Sequence, residues 1–227
     1  MILSVHQPQY LPWLGYFHKI DQSDLFVFLD NVQYKKREFQ NRNKIKTADG
    51  WMWLTVPVLT KGHFQQCINQ TLIDNSHPWQ TKHFKSIQKC YSKAPFFFDY
   101  YDAFEKVYAQ KWERLDLLNM HIVKFLMDFL EIKTPCFLES ELDVNARGTE
   151  RIIEICKRLK ATVYLSGAGG KAYMNEERFE EEGIKLRYQN FTHPVYSQLY
   201  GDFQPYMSVI DLLFNHGNES MEIIRNS

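Results

Sequence analysis

Met1-Ile2-Leu3-Ser4-Val5-His6-Gln7-Pro8-Gln9-Tyr10-Leu11-Pro12-Trp13-Leu14-Gly15-Tyr16-Phe17 is the stretch on which the reading of this chain turns. Met1 to Ser4 are apolar or small and read as a short buried strand. The chain then enters a segment dense in polar and aromatic groups with two prolines. His6 and Gln7 therefore stand where a strand ends and a loop begins. In an open α/β sheet that is the usual place for ligand chemistry. Leu14 to Asp21 reads as a helix and Asp24 to Leu29 as the next strand, giving strand, ligand loop, helix, strand.

Working outward, the second strand runs into Asp30-Asn31-Val32-Gln33, a second strand tip. A cation-rich segment follows, with Lys35, Lys36, Arg37 and Arg42. Ala48-Asp49-Gly50 is a turn signal, and Trp51 to Val58 is a β-branched and aromatic run. Asn41 to Ile45 and Trp51 to Val56 are expected to pair as a hairpin. Ile68 to Ile73 is expected to be another short strand. From about residue 75 to 135 the pattern turns helical: Trp79, His83, Ile87 and Tyr91 recur at four-residue steps, and Ala94-Pro95 breaks the run. Phe96 to Tyr108 and Leu115 to Phe129 carry two more helices. Phe137 to Leu142 reads as a short strand or an extended link. Helix to Leu159, strand Ala161 to Leu165, glycine loop Ser166 to Lys171, helix Glu176 to Glu182 and strand Ile184 to Gln189 then follow α/β grammar. The tail from Ser208 to Phe214 reads as a short helix. The expected fold is one α/β domain over residues 1–227, a Rossmann-like three-layer sheet with a mainly helical insertion at about 75–135.

The chain has 227 residues, enough for one sizeable core with a helical appendage. Lys plus Arg and Asp plus Glu both number 27, so a general nucleic-acid or anionic-membrane surface is not expected. No run approaches the roughly 18 apolar residues of a membrane span, and the N-terminus lacks the pattern of a signal peptide. The expected location is cytoplasmic. Cys67, Cys90, Cys136 and Cys156 form no CxxC pair and read as reduced thiols.

Four stretches can carry chemistry. His6 at a strand tip can bind phosphate or move a proton, or simply cap the strand. Beside it Gln7 offers donor and acceptor, and Tyr10 a phenol, while Trp13 and Phe17 read as packing. His18 and Lys19 read as surface residues of the first helix. The second stretch brings Asp30, Gln33, Lys35, Asn41 and Arg42, in which Arg could hold phosphate or carboxylate bidentately; a solvated hairpin is the plain alternative. The third is Ser166 to Lys171: the amides of Gly167, Gly169 and Gly170 could form an anion nest with Lys171, though the spacing is neither a P-loop nor GxGxxG. Tyr173 follows it. The fourth is His193 to Gln198, where His193 and Gln198 could reach the same cleft; Asp211 is a cap or a salt-bridge partner as readily as a catalyst. The four cysteines show no metal-ligand spacing.

Taken together, these stretches resemble the WbqC-like family of bacterial proteins. The likeness rests on His6-Gln7-Pro8, Tyr10 to Phe17 and Lys19-Ile20, on Asp30, Val32-Gln33, Asn41-Arg42-Asn43 and Trp53 to Val58. It continues through Tyr164 to Gly167, Gly170-Lys171, Tyr173, His193-Pro194, Tyr196, Gln198 and Ser208 to Leu213, and so covers nearly the whole chain. Such proteins are often encoded among genes for O-antigen and other surface polysaccharides. The resemblance therefore implies a transferase step in making or decorating a nucleotide sugar, with aminoacyl or acyl transfer to an amino sugar as one form. The first strand and loop also resemble the nucleotidyltransferase arrangement, but the next histidine is His18 and the HxGH spacing is missing. On this reading His6 is the general base, Asp30 orients it or holds a magnesium ion with a phosphate-bearing donor, and Lys171 with its glycine amides holds phosphate. The competing expectation is a non-catalytic protein that binds a sugar nucleotide or a partner enzyme of the same pathway.

Overall fold

The computed structural model describes residues 1–62 and 65–227. The chain runs β1 (Ile2–His6), α1 (Leu14–Asp21), β2 (Leu25–Phe28), a hairpin of β3 (Arg42–Thr47) and β4 (Gly50–Thr55), then α2 (Trp79–Tyr91), α3 (Phe97–Ala109) and α4 (Leu115–Phe129). It continues with β5 (Cys136–Leu138), α5 (Gly148–Arg158), β6 (Val163–Ser166), α6 (Glu176–Glu181), β7 (Lys185–Tyr188), α7 (Val209–His216) and α8 (Ser220–Arg225).

β1 is buried on both faces because its side chains alternate between two cores. Leu3 and Val5 join Ile152, Ile155, Cys156 and Phe179 on the face covered by α5 and α6. On the other face Ser4 is fully buried and accepts a hydrogen bond from Ser23 at 2.8 Å. There Phe17 and Ile20 of α1 pack with Phe26 and Phe28 of β2. A strand buried on both sides suits a parallel sheet. The observed sheet has the order β5-β2-β1-β6-β7, with every pair parallel. It is a Rossmann-like three-layer arrangement. The chain steps outward from β1 to β2 to β5, then returns to the other side of β1. The order thus reverses between β1 and β6, and a crevice opens beyond the carboxyl ends of those two strands.

α2, α3 and α4 fill the stretch expected to be helical. Their residues Ile87, Tyr91, Phe104, Leu118 and Ile122 lie in the same core as α1. This layer also holds the loops at the strand ends. Asn119 of α4 is fully buried and donates to the Gln40 carbonyl at 2.7 Å and the Pro8 carbonyl at 3.2 Å. β3 and β4 pair antiparallel across the expected turn.

One expected strand is absent. Residues 68 to 73 hold a 3₁₀ turn, Ile68–Gln70, while Leu72 and Ile73 make only isolated bridges to Arg114 and Val58. Local side-chain bonds compete with a ladder here: Thr71 donates to the Cys67 carbonyl at 2.9 Å, and the Gln70 side chain accepts from the Cys67 amide at 3.3 Å. No helix among the described residues is long and apolar enough to cross a membrane.

Candidate functional site

A cleft of about 1160 Å³ lies at this point of strand reversal. The end of β1 and the loop after it contribute His6 and Gln7, the segment after β2 contributes Asn31, Gln33 and Lys35, and the end of β6 with the segment after it contributes Ser166, Gly167, Gly169 and Gly170. The start of α5 closes it with Arg147, Gly148 and Arg151. Among the described residues lining it, Lys19, Lys35, Arg147 and Arg151 are cationic, and none is Asp or Glu. In a chain whose charges balance, this is a strong local bias toward anions.

Lys19 is the least expected member. α1 is short, and every residue from Leu14 to Ile20 is buried, so no face of it is wet. The Lys19 side chain is 3% exposed and runs to the tip of β1, where Nζ donates to the Val5 carbonyl at 3.1 Å. A side-chain carbon on Gly167 would stand 4.0 Å from that nitrogen, which places the ammonium between β1 and the glycine segment. Burial with no carboxylate beside it lowers the Lys19 pKa to about 7.

His6 lies next to it. Its ring meets Tyr16 edge-on at 4.8 Å, and Nδ1 is 3.1 Å from the Gln7 carbonyl. Burial, and then the charge of Lys19, push the imidazole down to about 3. The ring is therefore neutral near pH 7; Nδ1–H faces the carbonyl and leaves Nε2 as an acceptor. A group with so low a pKa takes protons poorly at neutral pH. Lys19 is far better matched to that task than His6, the general base expected from the sequence. Gln7 is held in place: its side-chain oxygen accepts from Gln40 at 2.7 Å, and Gln40 accepts from the Lys35 amide at 2.9 Å.

At the other wall, Arg151 is fixed by donating from Nε to the Ala146 carbonyl at 2.7 Å and from Nη1 to the Asn31 carbonyl at 2.9 Å, and that Nη1 also pairs with the buried Glu139 carboxylate at 3.6 Å, behind the cleft lining. Arg147 is exposed and is the residue just before α5. A helix N-terminus favours acidic groups, so two arginines there concentrate positive potential toward the cleft.

The structure brings His6, Gln7, Gln33, Lys35, Ser166, Gly167, Gly169, Gly170 and Tyr173 to the cleft lining. It places the other candidates elsewhere. Asp30 is buried, and its carboxylate accepts from the Ser140 amide at 2.9 Å and the Ser140 hydroxyl at 2.6 Å, tying β2 to the turn after β5. Tyr10 is fully buried, its hydroxyl bonded to His83 and Tyr108. Asn41 is spent on the Val56 carbonyl, and Arg42 lies over Trp53 at 4.2 Å. The glycine segment coils into a 3₁₀ turn, Ala168–Ala172, which leaves Lys171 exposed with Nζ 5.3 Å above the Tyr188 ring. His193 accepts from the Tyr206 amide at 3.0 Å and packs edge-on to the Tyr206 ring. Gln198 donates to Asp211, which also accepts from Tyr91 and Tyr196 in a buried network. Nor does Asp30 suit magnesium: both its oxygens are engaged by Ser140, and the described residues include no group of three His, Cys, Asp or Glu able to hold a metal ion.

The profile of the WbqC-like protein family matches residues 7–223. The chain belongs to that family. It is 36% identical over 225 residues to an uncharacterized protein of Mycobacterium tuberculosis, Rv1507c, with 98% of this chain and 97% of that protein covered. No solved structure matches.

In this WbqC-like chain, sequence reasoning read Lys19 as a surface residue, named Asn31 at a strand tip without counting it in the site, and passed over Arg147, Gly148 and Arg151. A usable signal existed for the arginines. Arg147 and Arg151 flank the start of a helix, where the dipole disfavours cations, so their placement calls for a ligand-side reason. Lys19 gave a weaker one: it sits among Leu14, Tyr16, Phe17 and Ile20 on a helix too short to show a polar face.

Proposed function

We propose that this protein is a transferase that binds a phosphate-bearing donor, a nucleotide sugar or an activated acyl compound, in the cleft beyond β1 and β6. The single observation behind this is the lining itself: four cations and no carboxylate among the described residues, at the crevice where α/β sheets bind nucleotides. Arg147, Arg151 and the amide end of α5 meet the phosphates. The amides of Gly167, Gly169 and Gly170 supply further donors. His6 Nε2 and the held side chain of Gln7 orient the acceptor. Membership of the family supports a place in surface-polysaccharide synthesis, with amino-acid or acyl transfer to an amino sugar as the specific reaction.

The test is turnover. The pure protein is incubated with candidate donors and amino-sugar acceptors, and products are read by mass spectrometry. A transferred group whose appearance is lost in Arg151→Ala and slowed in His6→Ala supports the reading. Tight donor binding with no product under any pairing overturns the transferase step and assigns the cleft to a non-catalytic nucleotide-sugar-binding protein.

A further inference from the structure

Lys19 is a buried amine with no acidic partner among the described residues, at the floor of a cleft that opens between two strand tips. Among the described residues its hydrogen bond goes to a main-chain carbonyl, that of Val5. Around it, β1 presents His6, and the segment after β6 presents Ser166 and Gly167, which carry no charge. On its own helix, Asp21 is held by Arg225 in a two-pronged pair at 2.6 and 2.9 Å. Across the cleft stand Lys35, Arg147, Arg151 and the phenol of Tyr164, which burial keeps protonated. Every charged side chain lining the cavity among the described residues is thus positive; Glu139, buried behind the lining, pairs with Arg151 at 3.6 Å and offsets part of that residue's charge. The fold has set an amine where its charge is uncompensated, in a space large enough for a ligand. α1 and α5 cover opposite faces of the sheet, so the cations approach the strand tips from both sides.

We propose that Lys19 is the residue that receives an anionic group of the ligand at the strand-reversal point, and that this anion enters together with one proton, which Lys19 Nζ takes up. This rests on the anion-binding reading of the cleft. In the empty cleft the amine is largely neutral above pH 7, because burial disfavours its charged form. An anion beside it supplies the missing countercharge, raises its proton affinity, and so draws a proton from solvent. The linkage makes affinity a function of pH over the range in which Lys19 titrates. It also selects fully ionised ligands, phosphate or carboxylate groups, over neutral sugars.

The probe is sulfate, which stays fully ionised from pH 6 to 9, so any proton taken up must belong to the protein. Binding is followed by thermal shift and calorimetry against sodium chloride of matched ionic strength, in buffers of differing ionisation enthalpy. Wild-type affinity is expected to fall by up to about tenfold per pH unit above pH 7, with close to one proton taken up at pH 8. Lys19→Met, similar in length and folded by circular dichroism, should bind sulfate at least tenfold more weakly at pH 6.5 and lose the pH dependence. Lys19→Arg should bind with no slope, because its charge is permanent. Wild-type binding that is flat with pH, or a slope that survives in Lys19→Met, overturns the proposal. The wild-type proton count decides the matter even where a variant does not fold. If Lys19→Met binds as wild type does while Arg147→Ala and Arg151→Ala lose sulfate, the anion cleft stands and the part of Lys19 falls. If wild type binds neither sulfate nor pyrophosphate, the reading of the cleft itself falls.

Discussion

Lys19 Nζ and the carbonyl of Val5, 3.1 Å apart, join α1 to the tip of β1 and plant a buried amine at the centre of the sheet's ligand crevice. The fold bears a cost for this. The Lys19 pKa falls from an ordinary 10.5 to about 7, so between those values the unfolded chain holds a proton that the folded chain lacks. Stability must rise with pH through that window, and the penalty is complete below it. Lys19→Met removes it and should raise unfolding free energy at pH 7 by roughly 2–4 kcal/mol, less about 1 kcal/mol for the lost hydrogen bond. Urea unfolding at pH 7 and pH 9.5 checks both statements: the wild type should gain stability with pH and the variant should not.

His6 titrates on the acid side. Its folded pKa of about 3 lies below the ordinary 6.5, and that of His83, buried against Tyr10, falls to about 4. Both histidines act in the same direction: from pH 6.5 downward the unfolded chain takes up protons that the folded one refuses, so their contribution to stability is lost as pH falls and is constant above 6.5. Denaturant midpoints measured from pH 7 to pH 4 should decline, with a shallower decline in His83→Gln.

Asp30 provides a contrast between structure and chemistry. Its two bonds from Ser140 are charge-assisted and buried, so Asp30→Ala should lower stability by about 2–4 kcal/mol. Asp30 does not line the cleft, so ligand affinity of the folded variant should stay within about threefold of wild type. A large loss of affinity at unchanged stability would return Asp30 to the site.

Asn119 tests whether the helical layer supports the site. Asn119→Ala strands the Pro8 and Gln40 carbonyls in the interior, at a cost of about 2–3 kcal/mol. The Gln40 contact with Gln7 should loosen with it. Weaker ligand binding at temperatures well below unfolding is the expected sign; unchanged binding would confine Asn119 to stability.

Much of this was legible in the sequence. The apolar run from Met1, the prolines after His6 and the second apolar run from Leu25 to Leu29 place β1, its loop and β2, because strand burial and chain breaking are local properties. α1 falls on Leu14–Asp21, as expected. The site was only half legible. Residues at strand ends, such as His6 and Ser166, announce themselves by position. Lys19 and Arg151 do not, since what brings them to the cleft is how α1 and α5 pack against the sheet. Asp30, Tyr10 and Gln198 mislead for the converse reason: a polar group in a promising segment is equally useful for tying elements together, and only its partners reveal which task it has.

The most direct test of the cleft is a thermal-shift comparison of phosphate-bearing ligands with their neutral parents: nucleotide sugars and acyl-coenzyme A compounds against nucleosides and free sugars. A ligand at 100 times its dissociation constant stabilises the fold by about 2.7 kcal/mol. The expected result is a clear rise in melting temperature with at least one phosphate-bearing compound, absent with its neutral parent and lost in the Arg147→Ala/Arg151→Ala double variant. Equal shifts from neutral parents, or no shift from any phosphate-bearing compound, would contradict the assignment.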